Sequence, residues 1–225
     1  MSIRHRGRRR VVLVLVLVAP LCVRVAAQAS SALPKPKSQQ PQISAPDPGT
    51  VSNGVYRNAF FGFTCKIPFG WVDRTKEMGD ESNGNSTADG NAPAKSILLL
   101  AVFEHPPETT GNSVNSAVIV AAEPSSSYPG LRNPEQYFGP LTTLTKSKGL
   151  AVVNEPYEFP VGTMQLVRGD FSKPLRNLTL QQSTLVMMQK GYVVSFTFIA
   201  GSEDEVNGLV EGLDFGRKKA PPAPK

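Results

Sequence analysis

Hydrophobic and polar positions alternate along much of this chain, and that two-residue period is the mark of strands with one buried face. Phe63, Cys65 and Ile67 fall on one side of such a run and Thr64 and Lys66 on the other, until Pro68 removes a ladder donor and stops it. Ile97 to Phe103 and Ala117 to Ala122 are continuously apolar, which predicts strands covered on both faces. Four more runs follow: Ala151 to Phe159, Met164 to Phe171, Leu178 to Met188 and Tyr192 to Ile199. The breaks between them are Pro160-Val161-Gly162, Ser172-Lys173-Pro174 and Lys190-Gly191, and interruptions this short predict hairpins and an antiparallel meander.

Two segments change to a helical period. Asn133-Pro134-Glu135 supplies a cap, a preset first turn and an acid suited to the helix dipole, and Tyr137, Phe138, Leu141 and Leu144 form one stripe before Gly149. Gly139-Pro140 in its middle predicts a kink or a break. Near the C-terminus Ser202 and Glu205 form a capping box, and Val206, Leu209, Val210 and Leu213 make an apolar stripe. Glu77 to Ser96 is rich in Gly, Asn, Asp and Ser without any period, which predicts a mobile loop, with a shorter one at His105 to Asn112. The fold class is therefore α+β, an antiparallel sheet meander flanked by helices.

Residues 1–29 do not belong to that pattern. Arg4, Arg6, Arg8, Arg9 and Arg10 precede an apolar run of 13 residues, Val11 to Val23, and Ala27-Gln28-Ala29 closes the segment with small residues. This is the layout of a secretory signal peptide, and a span of the bilayer needs about 20 residues. The expectation is export with cleavage, a mature N-terminus at Ser30 or Gln28, no stable membrane span, and a secreted or periplasmic location. Kept uncleaved, the same segment would act as an anchor. Residues 30–53, dominated by Pro, Ser and Gln, predict a disordered leader, residues 54–216 a single globular domain, and residues 217–225 a solvated basic tail.

Charge then removes one class of partner. The whole chain carries +6, yet six basic residues lie in the first 29 positions, and between Val51 and Gly216 there are 12 basic and 17 acidic residues, a net of −5. A phosphate-binding face needs a basic excess, so nucleic acid is not expected as a partner.

Reactive side chains are sparse. Cys22 departs with the signal segment, leaving Cys65 alone, in phase with the buried side of its strand and without a base to activate it. His105, the one histidine outside the signal, stands beside Pro106-Pro107 in a loop, too few ligands for zinc and no triad for a nucleophile. The acid pairs Glu155/Glu158 and Asp80/Glu81 fall in expected turns or the mobile loop, where solvation is the ordinary fate of a carboxylate. Arg168-Gly169-Asp170 spells an adhesion tripeptide but lies in a strand pattern, where its glycine predicts a bulge. Asn85-Ser86-Thr87 and Asn177-Leu178-Thr179 fit the glycosylation sequon. No phosphate-cradling glycine loop occurs, so no catalytic, cofactor-binding or metal residue is assigned.

The run Tyr56-Arg57-Asn58-Ala59-Phe60-Phe61-Gly62-Phe63-Thr64-Cys65-Lys66-Ile67-Pro68-Phe69-Gly70-Trp71 resembles the opening of PsbP-like domains, which begin with an aromatic, a short turn, an F-G-F-like strand and then P-x-G-W. Lys190-Gly191-Tyr192, the strand after it, the capped helix and Leu213-Asp214-Phe215 resemble their close, so the likeness spans about Val55 to Phe215. This group includes the photosystem subunit PsbP, the envelope protein DcrB and the Ran-binding protein Mog. The resemblance implies an α/β/α sandwich and a binding or scaffolding role more than catalysis. Pro68 and Gly70 reverse the chain, and Trp71 is expected to fold back as a buried plug whose loss costs roughly 3 to 5 kcal/mol. The expected function is an exported, non-enzymatic domain that binds another envelope or secreted protein. The alternatives are a carrier of small hydrophobic ligands and a hydrolase with an unrecognised acidic pair.

Overall fold

The computed structural model describes residues 46–84, 96–106 and 113–216. The signal segment, Cys22, most of the leader, the basic tail, Asn85 and residues 85–95 of the expected loop lie outside them. Eleven strands among the described residues form two sheets, and every pairing is antiparallel. The smaller sheet has the order β1-β2-β3-β11, from β1 (Thr50–Ser52), β2 (Val55–Asn58), β3 (Phe63–Lys66) and β11 (Leu213–Asp214). The larger has the order β4-β5-β6-β10-β9-β8-β7, from β4 (Val72–Asp73), β5 (Ile97–Phe103), β6 (Ala117–Pro124), β7 (Ala151–Val161), β8 (Met164–Leu175), β9 (Leu178–Gln189) and β10 (Tyr192–Ala200).

Alternation along the central strands decides which core each residue joins. On β10, Val194, Phe196 and Phe198 face the smaller sheet, where Phe63 meets Phe196 edge to face at 4.9 Å and Phe215 completes the cluster. Helix α3 (Glu203–Val210) adds Val206 and Val210 to that side. Val193 of β10, with Val167 and Phe171 of β8, faces the other way and packs against Tyr137 and Phe138 of α2 (Pro134–Ser147). One face of the large sheet is thus covered by a helix, and the other by a second sheet together with α3.

Five expectations are corrected. The leader was expected to run to residue 53, but Thr50–Ser52 already pairs with β2, and the backbone carbonyls of Asp47 and Pro48 accept from Asn58 and Tyr56. Gly49 holds φ +79°, and a Cβ there would lie 2.5 Å from the Tyr56 hydroxyl, so the approach needs glycine. The expected loop from Glu77 instead begins inside a helix, α1 (Thr75–Gly84). Asp73 accepts from the Thr75 amide, and Arg74–Glu77 and Lys76–Asp80 pair along the helix surface. This helix rests on caps and charge pairs, so no apolar period announces it.

Ser172-Lys173-Pro174 is not a turn. β8 runs through it to Leu175, and the chain reverses at Arg176-Asn177, with Arg176 at φ +48°. Pairing with β7 ends at Ser172, so the missing amide of Pro174 breaks no ladder bond on that side. Glu155 and Glu158, expected in turns, lie exposed on β7, the edge strand of the large sheet. Pro140 does not break α2, because Gly139 before it offers no Cβ to clash with the proline ring.

Candidate functional site

The residues singled out in the sequence disperse through the structure. Cys65 is fully buried, and burial pushes its thiol up to about 12, which makes it a core hydrophobe and an inert thiol. His105 is half exposed, and its backbone is held by two bonds to the Asn115 side chain at 2.9 Å each. Its ring comes to 3.7 Å from the Glu104 carboxylate, an exposed pair of little energetic weight. Asp80 is exposed on α1 in its pair with Lys76, and Asn177 is exposed at the β8–β9 hairpin tip. Among the described residues, no group of three or more His, Cys, Asp or Glu side chains could hold a metal ion.

The tripeptide Arg168-Gly169-Asp170 is built into β8, and its three side-chain positions divide between the two faces. Gly169 faces α2, where a Cβ would come within 2.5 Å of the Phe138 ring. The glycine is required by that contact, and the bulges in this region fall on β7 between Val152 and Tyr157. Arg168 and Asp170 face α3. Arg168 Nε donates to Asp170 Oδ1 at 2.8 Å, and its NH2 group donates to Ser183 at 2.9 Å and to Asn207 of α3 at 2.8 Å. Ser183 donates to the same carboxylate, as do Asn154 at 3.2 Å and Tyr157 at 3.3 Å. Burial by itself would raise the Asp170 pKa. Hydrogen bonds from Ser183, Arg168 and Asn154, with the Arg168 charge, outweigh it and hold the carboxyl below its ordinary range. The network ties β7, β8, β9 and α3 together, and Ser183 is buried, so its hydroxyl is not presented to a substrate.

A second buried carboxylate, Glu123 of β6, lies on the opposite face. The hydroxyls of Tyr128 and Tyr137 donate to it, the latter at 3.3 Å, and the two rings meet edge to face at 5.2 Å. Desolvation raises the Glu123 pKa, and the two tyrosine bonds only partly offset it; both tyrosines are raised in turn, first by burial. A buried acid of this kind suits a general acid when it faces a cleft. Here Tyr137 and the α2 packing close it off.

The Pro68-Phe69-Gly70-Trp71 turn presents a different surface. Gly70 at φ +84° lets the chain reverse, and Trp71 donates its amide to Pro68 O at 3.3 Å. Trp71 packs half-buried against the core as a partial plug, short of the full burial expected. Phe69 is fully exposed, more so than any other large hydrophobic side chain among the described residues. Next to Pro68 runs an open groove lined by Lys66, Ile67, Pro68, Leu209 and Glu211. Gly208 and Gly212 lie along the groove, and no catalytic constellation lines it.

Sequence reasoning missed Glu123, Ser183, Asn207 and the exposure of Phe69. The strand period held a signal for Glu123, which keeps the phase of Ala117, Ile119 and Ala121 and so shares their face. Ser183 and Asn207 carried none, because their partners come from strands and a helix far along the chain.

No family model matches this chain, and no curated protein matches it. Among solved structures, partial likenesses are found. The chain is similar to cyanobacterial PsbP (CyanoP) from Synechocystis sp. PCC 6803, at 12% identity over 71% of this chain and 89% of that one, with a TM-score of 0.41. It is similar to LpqN, involved in cell envelope biogenesis of Mycobacterium tuberculosis, at 14% identity over 74% and 80% of the two chains and a TM-score of 0.32. It is also similar to a protein of unknown function from Pseudomonas aeruginosa, at 9% identity over 72% and 92%, with a TM-score of 0.34.

Proposed function

We propose that this chain is an exported, non-enzymatic binding domain that docks another envelope or secreted protein through the Phe69 turn. The reading includes a cleaved signal peptide, a secreted or periplasmic location and a PsbP-like sandwich scaffold whose second outer layer is the small sheet with α3. No helix among the described residues is long and apolar enough to cross a membrane.

The observation that carries the proposal is the complete exposure of Phe69 on a turn pinned by Pro68 and Gly70. A large aromatic held on a short turn loses little conformational freedom on binding, and aromatics entering a partner's pocket are the usual anchors of interfaces. Lys66 and Glu211 give the neighbouring groove a polar rim.

The test is cross-linked capture from the native envelope with wild type and Phe69→Ala, read by mass spectrometry. Loss of one defined partner in Phe69→Ala, with unchanged thermal stability, supports the reading. Equal recovery of every captured protein overturns it.

A further inference from the structure

We infer that the Phe69 surface is self-complementary: two copies of this chain dock about a two-fold axis, each placing Phe69 in the groove of the other. This rests on the reading of the turn as a docking surface and names a second copy as an occupant.

Three observations converge. The first is shape. Phe69 makes no use of its own groove, being fully exposed, yet Pro68 next to it is part of the groove wall. A knob and a hole side by side on one face are what an isologous contact requires, since one rotation then fills both holes at once.

The second is Gly208. It lies inside α3 without a positive φ, where glycine weakens a helix relative to alanine. A Cβ added there would meet nothing within 4 Å, so packing within the chain does not call for a glycine. Gly212 differs, because its Cβ would come within 3.0 Å of the Leu209 carbonyl. Gly208 is explained by the groove it keeps open.

The third is charge. Copies of a domain with a net charge of −5 repel one another, and a contact between them needs a local exception. Lys66 and Glu211 supply it. Both are exposed on the groove, and no ion pair within 4 Å joins them to each other or to another described residue. A two-fold operation carries Lys66 of one copy toward Glu211 of the other, and the reverse, giving two crossed pairs.

Sedimentation equilibrium on the full chain, expressed with its own N-terminal segment, tests this. Wild type is expected to pass reversibly from monomer to dimer as concentration rises. Phe69→Ala and Gly208→Leu should each weaken association by at least about tenfold, the scale of losing one interface anchor. Gly208→Leu separates this from misfolding, because it fills the groove while improving helix propensity and should unfold at or above the wild-type midpoint. Lys66→Glu should weaken the dimer, and Lys66→Glu combined with Glu211→Lys should restore it. A wild type that stays monomeric throughout, or a Gly208→Leu variant that dimerises like wild type, overturns the inference. A monomeric wild type whose captured partner is still lost in Phe69→Ala would overturn self-docking and leave the proposed function standing. A dimer abolished by all three single variants, with an unrelated partner retained by Phe69→Ala, would do the opposite.

Discussion

Asp170 and Glu123 are the two carboxylates buried among the described residues, on opposite faces of the same seven-stranded sheet, and their surroundings drive them in opposite directions. Asp170 has a cation, Arg168, at 2.8 Å together with the hydroxyl of Ser183 and the amide of Asn154, and its pKa falls. Glu123 has only the hydroxyls of Tyr128 and Tyr137, and its pKa rises. Neutral donors do not match the desolvation cost of a buried charge, whereas a guanidinium fork with further donors does. One face of the sheet therefore holds an ion pair that locks α3, and the other a carboxyl whose pKa burial raises beneath α2.

The largest effect is expected from dissolving the ion pair on one side only. Arg168→Met leaves Asp170 buried without its cation and should cost about 3 to 5 kcal/mol in a denaturant titration. Arg168→Lys should recover little, because an ammonium does not reach Asp170, Ser183 and Asn207 with one planar fork. A midpoint within error of wild type for Arg168→Met would show that the network carries no stability and would end the contrast with Glu123.

Gly169→Ala attacks the other face from the same strand. It drives a methyl group toward the Phe138 ring and should cost about 1 to 3 kcal/mol through overpacking, while leaving the Arg168 bonds in place. A drop in near-ultraviolet signal from the Tyr128–Tyr137 pair, with α3 still protected in amide exchange, would show that the two faces fail separately.

Acid titration sharpens the contrast through its sign. Asp170 has a lowered folded pKa, so its contribution is present above the ordinary aspartate range and is lost as pH falls through the folded value. Glu123 has a raised folded pKa, so its contribution is fully present below the ordinary glutamate range and is lost as pH rises through the folded value. Glu123→Gln should accordingly raise stability at neutral pH by about 1 kcal/mol and abolish the loss that accompanies deprotonation, while Asp170→Asn should destabilise at neutral pH and flatten the acid limb. Parallel pH profiles for the two variants would contradict the opposed shifts.

The smallest effect belongs to Tyr157→Phe. Its hydroxyl reaches Asp170 at 3.3 Å from a part-exposed position, and its removal should cost about 0.5 kcal/mol with no change in the acid limb. Several kcal/mol lost there would mean that β7, and not Arg168, governs Asp170.

How far the sequence carried the fold depended on where each element draws its stability. Strands β5, β6, β9 and β10 and helices α2 and α3 were legible because the apolar residues each buries are written locally, as an unbroken run in β5 and β6 and as a period or a capped stripe in the others. Helix α1 escaped because caps and surface charge pairs hold it, and the Pro174 strand end escaped because tolerance of proline depends on whether a neighbouring strand extends that far. The exposed surface at Phe69 was half legible. The Pro68–Trp71 turn and the inward packing of Trp71 could be read, but not that Trp71 would stay half-buried or that Phe69 would be fully exposed.

The sequence by itself determined the meander of strands, the two capped helices, the burial of Cys65 and the acidic balance of the domain, since each follows from residue type and short-range period. Only the tertiary structure decided that Arg168 and Asp170 meet Ser183 and Asn207, that Glu123 lies beneath two tyrosines, and that Phe69 stands free beside a glycine-lined groove. Those arrangements join residues far apart in the chain, 39 positions for Arg168 and Asn207 and well over a hundred for Lys66 and Glu211 along the groove. Solvent exposure and charge pairing at that range are properties of packed surfaces, and they exist only once the two sheets and α3 have closed on one another.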